Sequence, residues 1–201
     1  MPGLFGVGIV SPAPIVIIMA MRTTATAATA VLGGTFDPIH EGHLHLARRA
    51  LRDFPAARVC LIPNGAPPHR AKPSASWHAR MTMCQMATAD DKRIVIGDDE
   101  PPGNQRRTIR TVRKLRRKSR VILIIGGDAF LHFRRWKEWR NILALASVAV
   151  ARRRGSPSPK RAVPPQWAAK TAKPKRLWRG VYFWHTLAPR MSSTALRAKQ
   201  R

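Results

Sequence analysis

The sequence predicts an α/β protein with a Rossmann-like, doubly wound parallel sheet of about five to six strands and helices on both faces. Short apolar runs rich in β-branched residues alternate with segments of helical spacing along the chain. Each run is apolar throughout, which is typical of parallel strands that are buried on both faces. In such sheets, ligands bind beyond the carboxyl ends of the strands.

The strands and helices follow from this alternation. Six strands are predicted, at residues 28–34, 57–63, 93–100, 119–130, 147–152 and 180–187. Apolar residues at helical spacing predict helices at 42–54, 76–90 and 106–118, a short helical stretch around Trp136 and Trp139, and a C-terminal helix at 192–201. Ser76 is a suitable N-cap for the second helix, because its hydroxyl accepts bonds from unpaired backbone N–H groups.

The domain prediction is an N-terminal extension at residues 1–24 without ordered structure, followed by a single domain at 25–201. The extension is apolar, but prolines interrupt it and no positive charge precedes the apolar run, so a secretory signal is less favoured. Residues 153–178 are rich in Pro, Lys and Arg, which indicates a basic loop or insertion. Cys60 and Cys84 are interpreted as buried, reduced thiols of a cytoplasmic protein.

The net charge of +27 is distributed very unevenly. Residues 1–100 hold 10 Lys and Arg against 8 Asp and Glu, a net of +2, whereas residues 101–201 hold 27 against 2, a net of +25. Such a field attracts polyanions, so a basic nucleic-acid-binding protein is one hypothesis. A solvated basic surface with no specific nucleic-acid partner is the simpler interpretation.

Three polar clusters follow predicted strands and are expected to meet at one sheet edge: 33–43, 126–128 and 192–197. Gly33 and Gly34 let backbone N–H groups approach an anion, and His43 falls in a first helical turn that favours phosphate. His40 and His43 are three residues apart and can donate to the same phosphate. A zinc site needs a third strong ligand that no neighbouring pattern supplies, and a capped turn with incidental histidines is the other alternative.

The whole string is more specific than its parts. "GGTFDPIHEGHL" resembles the His-x-Gly-His signature of the adenylyltransferase branch of the nucleotidyltransferase superfamily, and "MSSTALR" resembles that superfamily's second signature. "IPNGAPPHR", "IGGDAF" and "FRRWKEW" lie between them as in bacterial nicotinate-mononucleotide adenylyltransferases. The resemblance covers about residues 28–200. It implies that the 5′-phosphate of nicotinate mononucleotide attacks the α-phosphate of Mg-ATP, giving deamido-NAD and pyrophosphate.

The resemblance also implies roles for individual residues. His40, His43 and Arg197 are the implied catalytic residues, the histidines holding the ATP phosphates as charge builds on phosphorus. The implied ATP-binding residues are Gly33, Gly34, Thr35, Phe36, His40, His43, Gly126, Asp128, Ser193, Thr194 and Arg197. The implied binding residues for the mononucleotide are Arg70, Thr108 and Trp136. Mg²⁺ enters with ATP, and no other metal, no membrane and a monomer or small homo-oligomer are expected.

Some positions depart from the family pattern. Arg70 stands where the family usually has Lys, and "RRTIRTV" replaces a segment that is usually Tyr-Thr-x-Asp-Thr. The alternatives within the superfamily are cytidylyltransferases and the nicotinamide-mononucleotide and pantetheine-phosphate adenylyltransferases. The latter typically carry Thr at the position of His40, which counts against them. Trp136 resembles the aromatic residue that stacks near the pyridine ring, and a core tryptophan beside Trp139 is its other interpretation.

Overall fold

The computed structural model describes residues 28–65, 73–97, 108–151, 165–168, 180–186 and 193–198. The predicted extension at 1–24 and the predicted substrate residue Arg70 lie outside these ranges, as does most of the predicted insertion at 153–178. Among the described residues, no helix is long and apolar enough to cross a membrane.

Six parallel strands form one sheet in the order β3-β2-β1-β4-β5-β6. The strands are β1 (Ala28–Gly34), β2 (Ala56–Pro63), β3 (Ile94–Ile96), β4 (Arg120–Gly126), β5 (Ala146–Ala151) and β6 (Val181–Trp184). Chain order reverses between β1 and β4, which makes their carboxyl ends the topological switch point of the sheet. The predicted fold class is confirmed.

In the part of the chain that the structure describes, six α-helices accompany the sheet. They are α1 (Glu41–Asp53), α2 (Trp77–Ala87), α3 (Thr108–Arg116), α4 (Gly127–Phe130), α5 (Trp139–Leu145) and α6 (Ser193–Ala198). Short 3-10 turns lie at Phe133–Arg135 and Pro165–Trp167. The predicted cap of α2 is confirmed, since the Ser76 hydroxyl accepts the backbone N–H of Ala79 at 3.1 Å.

Side chains alternate along each strand and form two cores, one on each face of the sheet. One core joins alternate residues of the central strands to α1 and α2, through Ala47, Ala50 and Cys84. The other joins the intervening residues to α3, α4 and α5, through Val112 and Ile142. Helices therefore cover both faces, as the uniformly apolar strands predict.

The structure differs from the predicted elements in two places. Gly127–Phe130 is a short helix rather than the end of β4, because the strand ends at Gly126 and Phe130 turns back into the core. Within the predicted basic insertion, Trp167 lies 5.8 Å from Trp139, measured between ring centroids. A 3-10 turn thus lies in a segment predicted as a loop, because its tryptophan packs on the α5 side of the sheet.

Candidate active site

The loop after β1 has a backbone that depends on glycine and a buried aromatic ring. A Cβ on Gly34 would lie 2.8 Å from the Phe36 ring, closer than atoms of that kind approach. Phe36 has φ +49° and is 1% exposed, so its ring is held in place. Its edge meets the His43 ring with 4.9 Å between centroids. The glycine therefore makes room for a ring that supports His43.

His40 and His43 form a stacked pair at the N-terminus of α1, with 3.8 Å between ring centroids. His40 is the N-cap, and its Nδ1 accepts the backbone N–H of Gly42 at 3.2 Å. His43 Nδ1 accepts the backbone N–H of His40 at 3.4 Å. Because Nδ1 accepts in both rings, the neutral form of each carries its hydrogen on Nε2. Both rings are therefore donors at Nε2, the form that suits phosphate oxygens.

The zinc alternative finds no support from the residues that the structure describes. No group of three or more His, Cys, Asp or Glu side chains among them converges in a way that could hold a metal ion. The capped-turn alternative is half right, because the two histidines do cap α1. Capping uses Nδ1 of each ring and a phosphate contact would use Nε2, so the two roles draw on different atoms.

The second signature meets the first, as the sheet topology predicts. The Ser193 hydroxyl donates to the backbone carbonyl of Pro38 at 3.0 Å. The Arg197 guanidinium donates to the backbone carbonyl of Asp37 and lies 3.6 Å from its carboxylate. Thr194 follows Ser193 in the first turn of α6. One face of α6 is thus attached to the loop that leads into the histidine pair.

The third cluster lies at the same edge. Leu32 of β1 is in register with Ile124 of β4, so Gly34 and Gly126 each come two residues further on. A Cβ on Gly126 would meet no atom within 4 Å, so there is open space beside this residue. Asp128 lies in the first turn of α4. The positions of Gly126 and Asp128 are compatible with their predicted contacts to a nucleotide, which stay predictions.

The predicted residues for the mononucleotide are less well connected. Thr108 begins α3 and is half-buried. Trp136 is also half-buried, and its ring packs on Phe133 with 5.4 Å between centroids, on the α3–α5 side of the sheet. The core interpretation of Trp136 is therefore supported, while its contact with a pyridine ring stays a prediction.

Two residues of this edge were not singled out from the sequence. The carboxylate of Asp37, 5% exposed, accepts the backbone N–H groups of Ser74 at 2.7 Å and Ala75 at 3.0 Å. Arg80 of α2 is 1% exposed and donates to four backbone carbonyls. Burial lowers the pKa of Arg80, an effect that the charge of Asp37 opposes. The sequence did hold a signal for the burial of Arg80, because it is four residues from Cys84 and so lies on the same, inner face of α2.

The fold and the paired signatures place this chain in the cytidylyltransferase-like class of α/β proteins. A model of the cytidylyltransferase-like family matches residues 31–199, and the chain belongs to this family. It is similar to a probable nicotinate-nucleotide adenylyltransferase of Marinobacter nauticus, with 39% identity over 134 residues that cover 64% of this chain and 62% of that protein. Proteins of the same name from Dechloromonas aromatica and Laribacter hongkongensis are each 35% identical, covering 73% and 76% of this chain.

The chain spans 62% of the length of the first of these relatives, 70% of the second and 72% of the third. Among solved structures, it is similar to the Plasmodium falciparum nicotinic acid mononucleotide adenylyltransferase complexed with NaAD, with a TM-score of 0.64 at 14% identity, covering 86% of this chain and 83% of that one. A Vibrio parahaemolyticus structure titled as a nicotinate-nucleotide adenylyltransferase has a TM-score of 0.51 at 16% identity, covering 62% and 77%. These likenesses establish the fold, and the family resemblance predicted from the motifs is confirmed.

Proposed function

We propose that this chain transfers the adenylyl group of ATP to nicotinate mononucleotide, giving deamido-NAD and pyrophosphate in NAD biosynthesis. The observation that carries the proposal is the contact of Ser193 and Arg197 with the Asp37-Pro38 backbone, directly before the stacked His40 and His43. Both signatures of the family therefore contribute donors to one edge of the sheet. The names of the similar proteins support the choice of substrates.

The reaction needs alignment and charge stabilisation rather than a protein nucleophile. An oxygen of the mononucleotide 5′-phosphate attacks the α-phosphorus of ATP, and a new P–O–P bond forms. The bond to the oxygen that bridges the α- and β-phosphates breaks, and its electron pair leaves with pyrophosphate. Nε2–H donors of His40 and His43 hold the phosphate oxygens as negative charge develops, and Arg197 holds the leaving phosphates.

Magnesium enters this reaction as Mg-ATP. Asp37, the carboxylate of the first loop, already accepts two backbone N–H groups and lies beside Arg197, so it is poorly suited to hold a cation. Mg²⁺ commonly keeps several waters and is held largely by substrate phosphates. We therefore assign it to the ATP phosphates, where it reduces the repulsion between ATP and the attacking phosphate.

The basic surface of α3 is interpreted as solvated, with no specific nucleic-acid partner. Arg110, Lys114 and Arg116 are exposed, and Arg113 is paired with Glu138 at 2.6 Å. Cations that contact only a phosphate backbone give affinity that falls steeply with salt. RNA binding that disappears at physiological salt is the expected result, and tight binding to a defined RNA would contradict it. A cytoplasmic location and a monomer or small homo-oligomer complete the proposal.

Pyrophosphate release is the direct test. The purified protein is incubated with Mg-ATP and, in parallel, with nicotinate mononucleotide, nicotinamide mononucleotide and phosphopantetheine. The proposal expects the highest kcat/KM with nicotinate mononucleotide, and loss of turnover in His43→Ala. The matched control is His45→Ala, which removes a histidine two residues along the same helix. Preference for another acceptor would replace the proposed substrate, and full turnover in His43→Ala would remove the histidine pair from the mechanism.

A further inference from the structure

The buried side chain of Arg80 lies behind the candidate active site, and the proposed reaction gives it no role. We propose that Arg80 is a positioning residue, whose guanidinium holds the loop after β1 and the loop after β2 in one fixed relation. The proposal rests on the proposed function, because these loops carry residues assigned to the two substrates. Arg80 itself touches backbone rather than substrate.

The hydrogen bonds of Arg80 converge on three segments. Nη1 donates to the carbonyls of Thr35 and of Asn64, the latter at 2.8 Å. Nη2 donates to the carbonyl of Gly65 at 3.0 Å, and Nε donates to that of Ala75 at 3.3 Å. One planar group therefore joins the first signature, the start of the loop after β2 and the segment before α2.

Asp37 connects two of these three segments, the first signature and the segment before α2. Its carboxylate accepts the N–H groups of Ser74 and Ala75, so Ala75 is held through its N–H by Asp37 and through its carbonyl by Arg80. Asp37 also lies beside Arg197 of the second signature. The Arg80 contacts are thus continuous with the contacts that hold α6 at the site.

The chemistry of the contacts requires arginine in particular. A guanidinium presents five donors in a rigid plane, whereas a lysine ammonium presents three donors from one point. Four separate carbonyls are within reach of the former and not of the latter in this geometry. Burying a cation is costly unless it is fully hydrogen-bonded. A residue that served packing alone at this position would not need a charge.

The segments that Arg80 holds are adjacent in the chain to residues of the candidate active site. Thr35 precedes Phe36, whose ring contacts His43. Asn64 also donates its backbone N–H to the carbonyl of Gly34 at 2.8 Å, so the two loops already meet at their strand ends. Gly65 leads toward Arg70, the residue predicted to bind the mononucleotide. Releasing the guanidinium is expected to loosen the loop after β1 together with the described segments at 64–65 and 74–75.

Steady-state kinetics of Arg80→Lys, with Arg80→Met as a second variant, tests the proposal. We expect kcat to fall by about 100-fold, since a misplacement of about 1 Å costs that much, and both KM values to rise. The matched control is Cys84→Ala, which removes a buried side chain from the same face of α2 without removing a donor to the loops. It is expected to lower Tm while keeping kcat. Wild-type kcat in a folded Arg80→Lys protein would overturn the proposal.

Amide hydrogen exchange tests the positioning role of Arg80 without depending on enzyme activity. Amide hydrogen exchange at Asn64, Ser74 and Ala75 is expected to be faster in either Arg80 variant than in wild type, with exchange in β4 unchanged. Unchanged exchange at those three amides would overturn the positioning role, whatever the enzyme transfers. A wild-type protein that releases no pyrophosphate would instead overturn the proposed function, and the exchange result would still report on Arg80.

Restoration of kcat in Arg80→Ala by guanidinium, but not by an equal concentration of urea, would add support.

Discussion

The Nδ1 atom of His43 accepts the backbone N–H of His40 at 3.4 Å, and the two rings stack 3.8 Å apart. The same two residues therefore cap α1 and form the candidate phosphate-binding pair. The cap sets which nitrogen of each ring is the acceptor, and so leaves Nε2 as the donor in the neutral form. Helix capping thus determines the chemical form in which the pair meets a phosphate.

The two histidines are expected to differ when each is replaced. His43→Ala removes a donor to the reacting phosphate, so kcat should fall by about 10²- to 10³-fold. It also removes the acceptor of the His40 N–H, a long contact at 3.4 Å, so stability should fall, but by less than in His40→Ala. His40→Ala should cost a similar factor and, in addition, about 0.5–2 kcal/mol of stability, because it removes the N-cap. Pyrophosphate release and urea unfolding measure the two effects. Equal stability of the two variants would contradict the dual role of His40.

Gly34→Ala is expected to damage both fold and activity. The new Cβ would lie within 3 Å of the buried Phe36 ring, and overpacking of this kind costs about 1–3 kcal/mol. Displacement of Phe36 should move His43 and lower kcat. Gly126→Ala is the matched control, because its Cβ meets no protein atom and its φ of −66° suits alanine. That variant should keep wild-type stability and raise the KM for ATP; an unchanged KM would argue against nucleotide binding at Gly126.

Asp53 is expected to contribute to stability more than a surface carboxylate does. Its Oδ2 accepts from Trp184 Nε1 at 2.9 Å and from Arg49 at 2.7 Å, which ties the end of α1 to β6. Asp53→Asn should lower the free energy of unfolding by about 1.5–3 kcal/mol, the range for hydrogen bonds to charged groups. Asp91→Asn, which breaks a pair with the exposed Arg93, should cost clearly less, because solvent screens exposed ion pairs. Urea unfolding followed by circular dichroism compares them, and equal losses would refute the tie.

Cys84 is expected to make stability depend on pH in the alkaline range. Burial raises the pKa of its thiol from the ordinary 9.0 to about 12, and the charge of Arg80 partly opposes this. Below the unfolded pKa both states keep the proton, so the full stability is present. As pH rises between the two values the unfolded chain ionises first, and the free energy of unfolding falls. The decline should be shallower in Cys84→Ala, measured by urea unfolding across this range; identical slopes would contradict it.

Local sequence patterns were sufficient to predict most of the fold and to identify the two signatures. Uniformly apolar strands predicted a parallel sheet covered on both faces, and the order β3-β2-β1-β4-β5-β6 agrees. Helical spacing predicted a helix at 106–118, and α3 lies there with Ile109 and Val112 buried on its inner face. These predictions succeed because burial of apolar surface acts on every residue of an element in the same way. The helix at Gly127–Phe130 was missed because a four-residue helix has too few residues to show a period.

Local sequence patterns are sufficient to predict the sheet, the burial of both its faces and the motifs at its carboxyl edge, because propensity and periodicity are properties of neighbouring residues. The hydrogen bonds between the loops follow instead from the three-dimensional arrangement of the chain. Arg80 and Thr35 are 45 residues apart, and Ser193 and Pro38 are 155 apart. A hydrogen bond between such residues depends on where the whole chain brings a donor and an acceptor. No local sequence pattern encodes the distance between such a donor and acceptor. The partners of a buried polar side chain such as Arg80 are therefore visible only in the folded protein.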